Sequence, residues 1–415
     1  MESAANTPSE KSNRIALVDG NVAFPKGFQA YGVTAGLRKG LLDMALIWSE
    51  QPATFSGTFT TNSAKAAPVV VTKSVADRGV CQAIVINSTN ANAMTGNPGY
   101  QDAIAMQSRV AQGLELSPEL VAVASTGVIG VPLPMDLIQG GIASLMDACH
   151  SPEIPGDGVA ASQAILTTDT VAKTHAAIAT LPSGTVRIGM MAKGSGMIHP
   201  QMATMLVFIT TDAKVSKSVL DKLVRRGVEQ SFHRISVDGD PSTNDMVLCL
   251  ANGSSGVELR SADDERIFGQ ALLALMQHGA RQIAKDGEGA THLLTVKVHG
   301  GVNEMDAALK ARTAVRSSLV KSAVYGADPN WGRVIASVGS VGLEFDPGMV
   351  DLIMNGMPLL QSGQPVAFDE ERAKELMGQE EVVFDVDLHA GDAEAEAWGC
   401  DLTERYVEIN ARYRT

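Results

Sequence analysis

The stretch that decides the architecture runs from Lys193 to Ile209, KGSGMIHPQ followed directly by MATMLVFI. The first part contains two glycines and a proline, a composition typical of an irregular loop. The second part is apolar except for Thr204, and such a short apolar run predicts a buried β-strand. The sequence therefore predicts a loop that delivers Thr204 to the start of a buried strand.

Outside this stretch, short β-type runs alternate with longer helical patterns. Apolar residues recur with a period close to 3.6 over 219–224 and 268–283, which predicts helices. We predict strands where β-branched and apolar residues cluster between Gly, Pro and Asn, at 69–72, 83–86, 293–298 and 384–388. Several strands follow one another without an intervening helix, which favours an α+β fold.

Composition excludes several classes of function. The 415 residues, enough for two domains or lobes, carry a net charge of -13 and no run of five basic residues, so nucleic acid is a poor partner. No apolar run approaches the roughly 18 residues that a membrane span needs, so we expect a soluble, cytoplasmic protein. The four cysteines and eight histidines show no ligand spacing, and no metal is predicted.

Thr204 is a candidate nucleophile. A threonine hydroxyl attacks weakly unless a base activates it, and a free α-amine on the same residue is one such base. That arrangement requires prior cleavage between Ala203 and Thr204, which strain in the glycine-containing loop could assist. On the residues alone, an ordinary β-branched strand residue is the better explanation of Thr204.

The stretch KGSGMIHPQMATML resembles the self-processing motif of the ornithine acetyltransferases, also called glutamate N-acetyltransferases. It departs from that motif at His199 and Gln201, where the family more often has Ala and Asn. Both positions precede the bond that is cut, so the departures bear on the rate of cleavage more than on the identity of the nucleophile. The resemblance extends over nearly the whole chain, through the ordered motifs GVTAGLRKGLLDMALI, FTTNSAKAAPV, INSTNANAMTG, STGVIG, TTDT, DGDPSTND, DGEGATHL, ADPNWGR and EINARYRT.

The resemblance implies a layered α/β/β/α fold of the N-terminal-nucleophile type. It implies self-cleavage into an α chain, residues 1–203, and a β chain, residues 204–415, which assemble as a dimer of such pairs. The implied reaction moves an acetyl group from N-acetylornithine to glutamate through an acetyl-Thr204 ester. That chemistry needs no cofactor, and the sequence leaves open whether acetyl-CoA is also a donor.

The resemblance also assigns the site. Thr204 is the nucleophile, and Thr126 with Gly127, which follow an apolar strand, form the oxyanion hole. The implied substrate contacts are Thr167, Lys193, Thr204, Glu288, Asn410 and Thr415. For each, an ordinary loop, turn or chain-end role is the competing interpretation, and Thr168 could replace Thr167 because adjacent strand residues face opposite ways. We interpret DGDPSTND, residues 238–245, as a structural turn and cap.

Two other functions compete with acetyl transfer. An aminopeptidase or amidase on the same self-processing scaffold would pass its acyl group to water instead of glutamate. A binding or scaffold protein could keep the fold without the chemistry, and an uncleaved purified chain would favour that interpretation. Lys193, Glu288 and Asn410 favour acetyl transfer, because they suit two charged amino-acid substrates.

Overall fold

Two β-sheets organise the computed structural model, which describes residues 14–199 and 205–412. These residues form sixteen strands. In chain order the strands are β1 (Ile15–Val18), β2 (Phe28–Val33), β3 (Met44–Phe59), β4 (Val80–Asn87), β5 (Val121–Ser125), β6 (Lys173–Leu181), β7 (Gly184–Lys193), β8 (Leu206–Thr211), β9 (Ile235–Ser236), β10 (Met246–Ala251), β11 (Leu293–Gly301), β12 (Asp351–Met354), β13 (Met357–Gln361), β14 (Gln364–Pro365), β15 (Glu381–Asp387) and β16 (Ala393–Cys400). A nine-stranded sheet has the order β1-β6-β7-β8-β10-β3-β4-β5, with β2 paired to β3. A seven-stranded sheet has the order β14-β13-β12-β15-β11-β16-β9.

Eleven α-helices lie within the described ranges, and none of them is long and apolar enough to cross a membrane. The longest begins with a capping box, in which the Ser261 hydroxyl accepts the Asp264 N–H and the Asp264 carboxylate accepts the Ser261 N–H. The helices are α1 (Ala67–Arg78), α2 (Gly96–Gly113), α3 (Met135–His150), α4 (Val159–Ala164), α5 (Lys217–Glu229), α6 (Ala262–Lys285), α7 (Glu304–Arg316), α8 (Ser318–Tyr325), α9 (Trp331–Gly339), α10 (Glu370–Met377) and α11 (Glu404–Ala411). The helices predicted over 219–224 and 268–283 are confirmed as parts of α5 and α6.

Strand β3 folds the larger sheet over on itself. Its first half pairs with β2 and β4, whereas its second half pairs with β10 from Thr54 to Phe59. The β3–β4 register shifts between Trp48 and Ala53, and Pro52, which has no N–H to donate, lies within this exposed bend. One long strand therefore belongs to two layers.

Alternate residues of the strands face different hydrophobic cores. Met44 and Leu46 pack with α2 and α3, whereas Ala45 and Ile47 share an inner core with Leu206 and Phe208. The neighbouring residues Val207 and Ile209 face α5 and α6 on the far side. Because side chains alternate across a strand, these cores establish the order helices, sheet, sheet, helices. The predicted α+β class and α/β/β/α layering are confirmed.

The seven-stranded sheet has a third core on one face. Leu294, Val296 and Val298 of β11 pack there with α7 to α10, while Leu293 points towards α6. In β15, buried Phe384 and Val386 alternate with partly exposed aspartates, as the sequence pattern predicts. The strands predicted at 83–86 and 293–298 are also confirmed.

The strand predicted at 69–72 is wrong, because these residues form the first turns of α1. A proline lies in the first turn, where a missing N–H costs the helix nothing. Val69 and Val75 enter the inner core, and Val71 enters the core beside α2. Burial on two sides outweighs the modest strand preference of three consecutive valines.

The loop after β7 joins two neighbouring strands of the larger sheet. β7 and β8 run antiparallel, and Lys193 at the end of β7 is the register partner of Leu206 at the start of β8. The predicted loop and buried strand are confirmed as far as residues 193–199 and 205–209 show them. Ala203 and Thr204 lie outside the described residues.

Candidate active site

One cleft collects predicted site residues that are far apart in the chain. It lies where the loop after β5, the end of β7, the turn after α6 and helix α11 meet. Six of the predicted residues line it, namely Thr126, Gly127, Thr167, Lys193, Glu288 and Asn410. The predicted residues Thr204, its neighbour Ala203, and Thr415 lie outside the described residues.

Thr126 and Gly127 form a turn directly after β5, which ends at Ser125. Gly127 has a φ of 134°, and a Cβ built on it would lie 2.0 Å from the carbonyl carbon of Thr89. Only glycine fits there, because any side chain at this position would collide with the backbone of Thr89. Thr126 is 1% exposed and lines the cleft.

Lys193 is a buried cation beside that turn. Its Nζ donates to Thr126 Oγ1 at 3.2 Å and to Thr167 Oγ1 at 2.8 Å. Burial lowers the pKa of Lys193, while the Asp169 carboxylate, 3.8 Å away, acts in the opposite direction. The ammonium thus stands next to the hydroxyl that was predicted to stabilise an oxyanion.

A buried ionic network behind Lys193 was missed by the sequence analysis. Lys173 pairs with Asp169 at 2.7 Å and with Asp286 at 2.6 Å, and Asp169 also accepts the Gly194 N–H at 2.6 Å. Burial would raise the pKa of Asp169, but the Lys193 and Lys173 ammoniums and this N–H outweigh it and hold that pKa at about 2. Asp169 therefore stays ionised and fixes the position of Lys193.

Only a weak signal could have revealed this network from sequence. Asp169 lies within TTDT and Asp286 opens DGEGATHL, so both lie in motifs already selected. Their common partner Lys173, however, is separated from Asp286 by 113 residues. Spacing along the chain carries no information on such a pair.

The structure places both Thr167 and Thr168 at the cleft, so the two do not exclude each other. Adjacent residues face opposite ways in a strand, but none of residues 167–170 lies in a strand, and 167, 168 and 170 lie in bends. Both threonines line the cleft, and the Thr167 hydroxyl is the one bonded to Lys193. Strand alternation therefore does not separate Thr167 from Thr168 in this segment.

Glu288 and Asn410 also line the cleft and bond to each other. Asn410 Nδ2 donates to Glu288 Oε2 at 2.7 Å, and Glu288 is only 8% exposed. A Cβ on Gly196 would lie 2.4 Å from the Glu288 carboxyl carbon, so this glycine permits the close approach of the carboxylate to the loop. Asn410 lies in helix α11, which brings the C-terminal part of the chain to the cleft.

His199 is the one described position at which the loop departs from the family motif. Its Nδ1 lies 3.4 Å from Ser236 Oγ. Burial, together with the charges of Arg316 and Arg312, lowers its pKa to about 4. The ring is therefore neutral at neutral pH and adds no charge to the loop. Gln201, the other departure, lies outside the described residues.

The cleft has the chemistry of an acyl-transfer site with selectivity for charged ligands. Hydroxyl and ammonium groups meet at Thr126, where negative charge on a tetrahedral intermediate would be stabilised. The buried Glu288 carboxylate in the same lining suits a ligand ammonium. A small molecule that carries both an acyl group and a cation fits these groups.

Comparison with known proteins gives a consistent result. The model of the ArgJ family matches residues 29–415. The arginine biosynthesis bifunctional protein ArgJ of Symbiobacterium thermophilum is 50% identical over 401 residues, 95% of this chain and 99% of that protein. Its counterpart from Streptococcus thermophilus is 45% identical over 402 residues, 96% of this chain and 100% of that protein.

Two solved structures are also similar. The arginine biosynthesis bifunctional protein of Bacillus halodurans is 41% identical, with a TM-score of 0.47, over 49% of this chain and 96% of that one. An ornithine acetyltransferase from Mycobacterium tuberculosis, solved in complex with ornithine, is 37% identical, with a TM-score of 0.41, over 46% of this chain and 100% of that one.

Proposed function

This chain belongs to the ArgJ family, and from that membership we propose that it is a glutamate N-acetyltransferase of arginine biosynthesis. It transfers the acetyl group of N-acetylornithine to glutamate. The observation that carries this proposal is the cleft itself, where six residues from distant parts of the chain line one space, with Lys193 bonded to Thr126 and the Glu288 carboxylate in the same lining.

Thr204 is the proposed nucleophile, and cleavage before it is the proposed maturation step. The Thr204 hydroxyl attacks the Ala203 carbonyl, the peptide C–N bond breaks, and the nitrogen takes the proton. Water then hydrolyses the resulting ester, which leaves a carboxylate on Ala203 and a free α-amine on Thr204. The position of Met205 directly before β8 and the pairing of Leu206 with Lys193, which lines the cleft, support this assignment, because they bring the segment to the cleft.

The transfer proceeds in two halves. The Thr204 hydroxyl attacks the acetyl carbonyl while its own α-amine takes the proton, and an α-amine with a pKa of about 7.7–8.0 suits this role at neutral pH. Thr126 and Gly127 stabilise the oxyanion, with Lys193 donating to Thr126. Ornithine leaves with a proton on its nitrogen, and the amine of glutamate then attacks the acetyl-Thr204 ester.

The ester keeps the acetyl group ready for transfer, so the proposed reaction needs no cofactor. An acetyl-CoA donor would load the same ester, and its use is tested by offering it in place of N-acetylornithine. Glu288 binds the δ-ammonium of ornithine, and Thr167, Asn410 and Thr415 complete the proposed substrate contacts.

We further propose that the two chains remain together as a dimer of such pairs in the cytoplasm. Strands β8 and β10 from the second half lie between β7 and β3 from the first, which supports the persistence of the pair after cleavage.

Ornithine release from N-acetylornithine is expected to depend on glutamate. The ester accumulates without an acceptor, so release should stop after about one equivalent per site and continue only when glutamate is added. Quantifying ornithine with and without glutamate measures this. Equal steady rates in both samples would instead support an aminopeptidase or amidase that transfers to water.

The variant Glu288→Gln should weaken use of N-acetylornithine and leave chain cleavage intact. Its amide keeps the shape and can still accept from Asn410, but it loses the charge that pairs with the ligand ammonium. The expected loss in kcat/KM is about 1–3 kcal/mol, the cost of a charged hydrogen bond. Steady-state kinetics with varied N-acetylornithine measure it.

The matched control for this variant is Glu408→Gln, which removes an exposed carboxylate of α11 that pairs with Arg405 at the surface. It should behave as the parent, since exposed ion pairs contribute little. If Glu288→Gln and Glu408→Gln have the same kcat/KM, Glu288 is not a substrate contact.

A further inference from the structure

The segment DGDPSTND, residues 238–245, does more than form the turn that its composition predicts. Asp238 accepts the N–H groups of Met197 at 2.6 Å and Ile198 at 2.8 Å, both on the loop before the proposed cleavage bond. Met197 has a φ of 57°, a conformation that residues other than glycine rarely adopt. The two hydrogen bonds to Asp238 therefore hold a strained residue in place. The start of the segment therefore fixes the upstream side of the loop.

The end of the segment contacts the downstream side. Asp245 is fully buried, and its Oδ1 accepts the Met205 N–H at 2.9 Å. Met205 is the residue immediately after Thr204. Asp245 Oδ2 is also buried and meets no donor in hydrogen-bonding geometry within the ranges 14–199 and 205–412.

The residue before Asp245 contacts the backbone beside the Thr126–Gly127 turn, which we call the oxyanion turn. Asn244 is 3% exposed, and its Nδ2 donates to the carbonyls of Ala91 at 2.6 Å and Ser125 at 2.8 Å. Ser125 immediately precedes Thr126. Two adjacent side chains thus bond to the backbone next to the proposed nucleophile and next to the oxyanion turn.

We propose that Asn244 and Asp245 form a positioning pair that holds the backbone beside Thr204 in register with the Thr126–Gly127 turn, while Asp238 holds the other side of the same loop. The inference rests on the proposed role of Thr204. Cleavage and acetyl transfer both require the Thr204 hydroxyl to face a carbonyl carbon whose oxygen reaches that turn, and an error of about 1 Å in such an alignment is costly.

The Asp245 carboxyl serves as a hydrogen-bond acceptor for the Met205 N–H. Burial raises the pKa of this carboxyl well above its usual range, although the Met205 N–H and the Lys193 charge act against the rise. An amide at this position keeps an acceptor oxygen, whereas a leucine keeps only the shape.

The test compares Asp245→Leu with Asp245→Asn in the full-length chain. Asp245→Leu should slow cleavage about tenfold or more and lower kcat by a similar factor, while the KM for glutamate stays within about twofold. Asp245→Asn should recover most of both rates. Asp240→Leu, on an exposed residue of the same segment, is the matched control and should resemble the parent.

Amide hydrogen exchange at Met205, followed by NMR, provides a readout independent of catalysis. Exchange should accelerate in Asp245→Leu and stay slow in Asp245→Asn. If Asp245→Leu does not fold, Asn244→Ala tests the other contact of the pair and should give the same fall in kcat without a change in KM.

The outcomes separate this inference from the proposed function. Asp245→Leu that cleaves and transfers like Asp240→Leu overturns the positioning pair and leaves the function standing. A parent protein that neither cleaves nor releases ornithine overturns the function. The exchange rate of the Met205 amide then decides whether the positioning pair exists. An unchanged rate in Asp245→Leu overturns the pair, and a faster rate supports it.

Discussion

Replacing Thr204 with alanine is expected to leave a single 415-residue chain without acetyl transfer, where the parent gives fragments of 203 and 212 residues (415 minus 203). One hydroxyl is assigned two tasks, attack on the Ala203 carbonyl and attack on the acetyl carbonyl, so its removal should abolish both. Denaturing electrophoresis and intact mass measure the first effect. Ornithine release in the presence of glutamate measures the second.

Thr204→Ser is the control for that loss. Serine keeps the hydroxyl but lacks the methyl that restricts χ1, so cleavage should persist at a lower rate together with reduced transfer. In the parent, N-acetylornithine without glutamate should add one acetyl mass to the 204–415 fragment alone. Thr204→Ala that is still cut at the same bond, or that still transfers at the parent rate, would falsify the nucleophile assignment.

The second large effect is expected for Thr126→Val, which should lower kcat for transfer about 10²-fold. Valine preserves the shape of threonine and removes one donor from the oxyanion turn, a change that typically costs 10²–10³-fold. It also deprives Lys193 of one of its two hydroxyl partners, although Thr167 remains bonded. Steady-state kinetics on cleaved protein isolate transfer from any effect on maturation.

Thr126→Ser should restore most of that activity, because the hydroxyl returns without the methyl. A decrease in kcat for valine together with recovery for serine identifies the hydroxyl as the active group. Equal activity of the valine variant and the parent, within twofold, would reduce Thr126 to a turn residue. The contact of Lys193 with Thr167 would then be the better candidate for ligand binding.

The described cleft residues could be predicted because they lie in short motifs that resemble those of the ornithine acetyltransferases. On the residues alone, Gly127 in a turn after a buried strand and Glu288 between two glycines after α6 each had an ordinary turn or loop interpretation. Only the structure shows that a Cβ at position 127 would meet the backbone of Thr89. The α+β class, by contrast, follows from the residues themselves, through apolar periodicities of two and 3.6 residues.

The interactions that support the cleft residues could not be predicted, because their partners are far apart in the sequence. Asp169, Lys173 and Asp286 stabilise Lys193 through ion pairs between residues up to 113 positions apart. The polar residues of 238–245 looked like turn and cap formers, because Asp, Ser and Asn favour local backbone bonds. In the structure, the carboxyl groups of Asp238 and Asp245 accept backbone N–H groups of a different segment. Only tertiary packing decides between a local and a distant backbone partner.

Strand order has a consequence for the thermodynamics of the mature protein. β8, which follows the proposed cut, lies between β7, which precedes the cut, and β10. Before cleavage, unfolding is unimolecular, and the intact backbone keeps the two halves at an effective concentration in the millimolar range. After cleavage, the same unfolding releases two separate chains and gains translational entropy, so it depends on protein concentration. The proposed cut would therefore make the folded state harder to regain once it is lost, because two separate chains have to associate again.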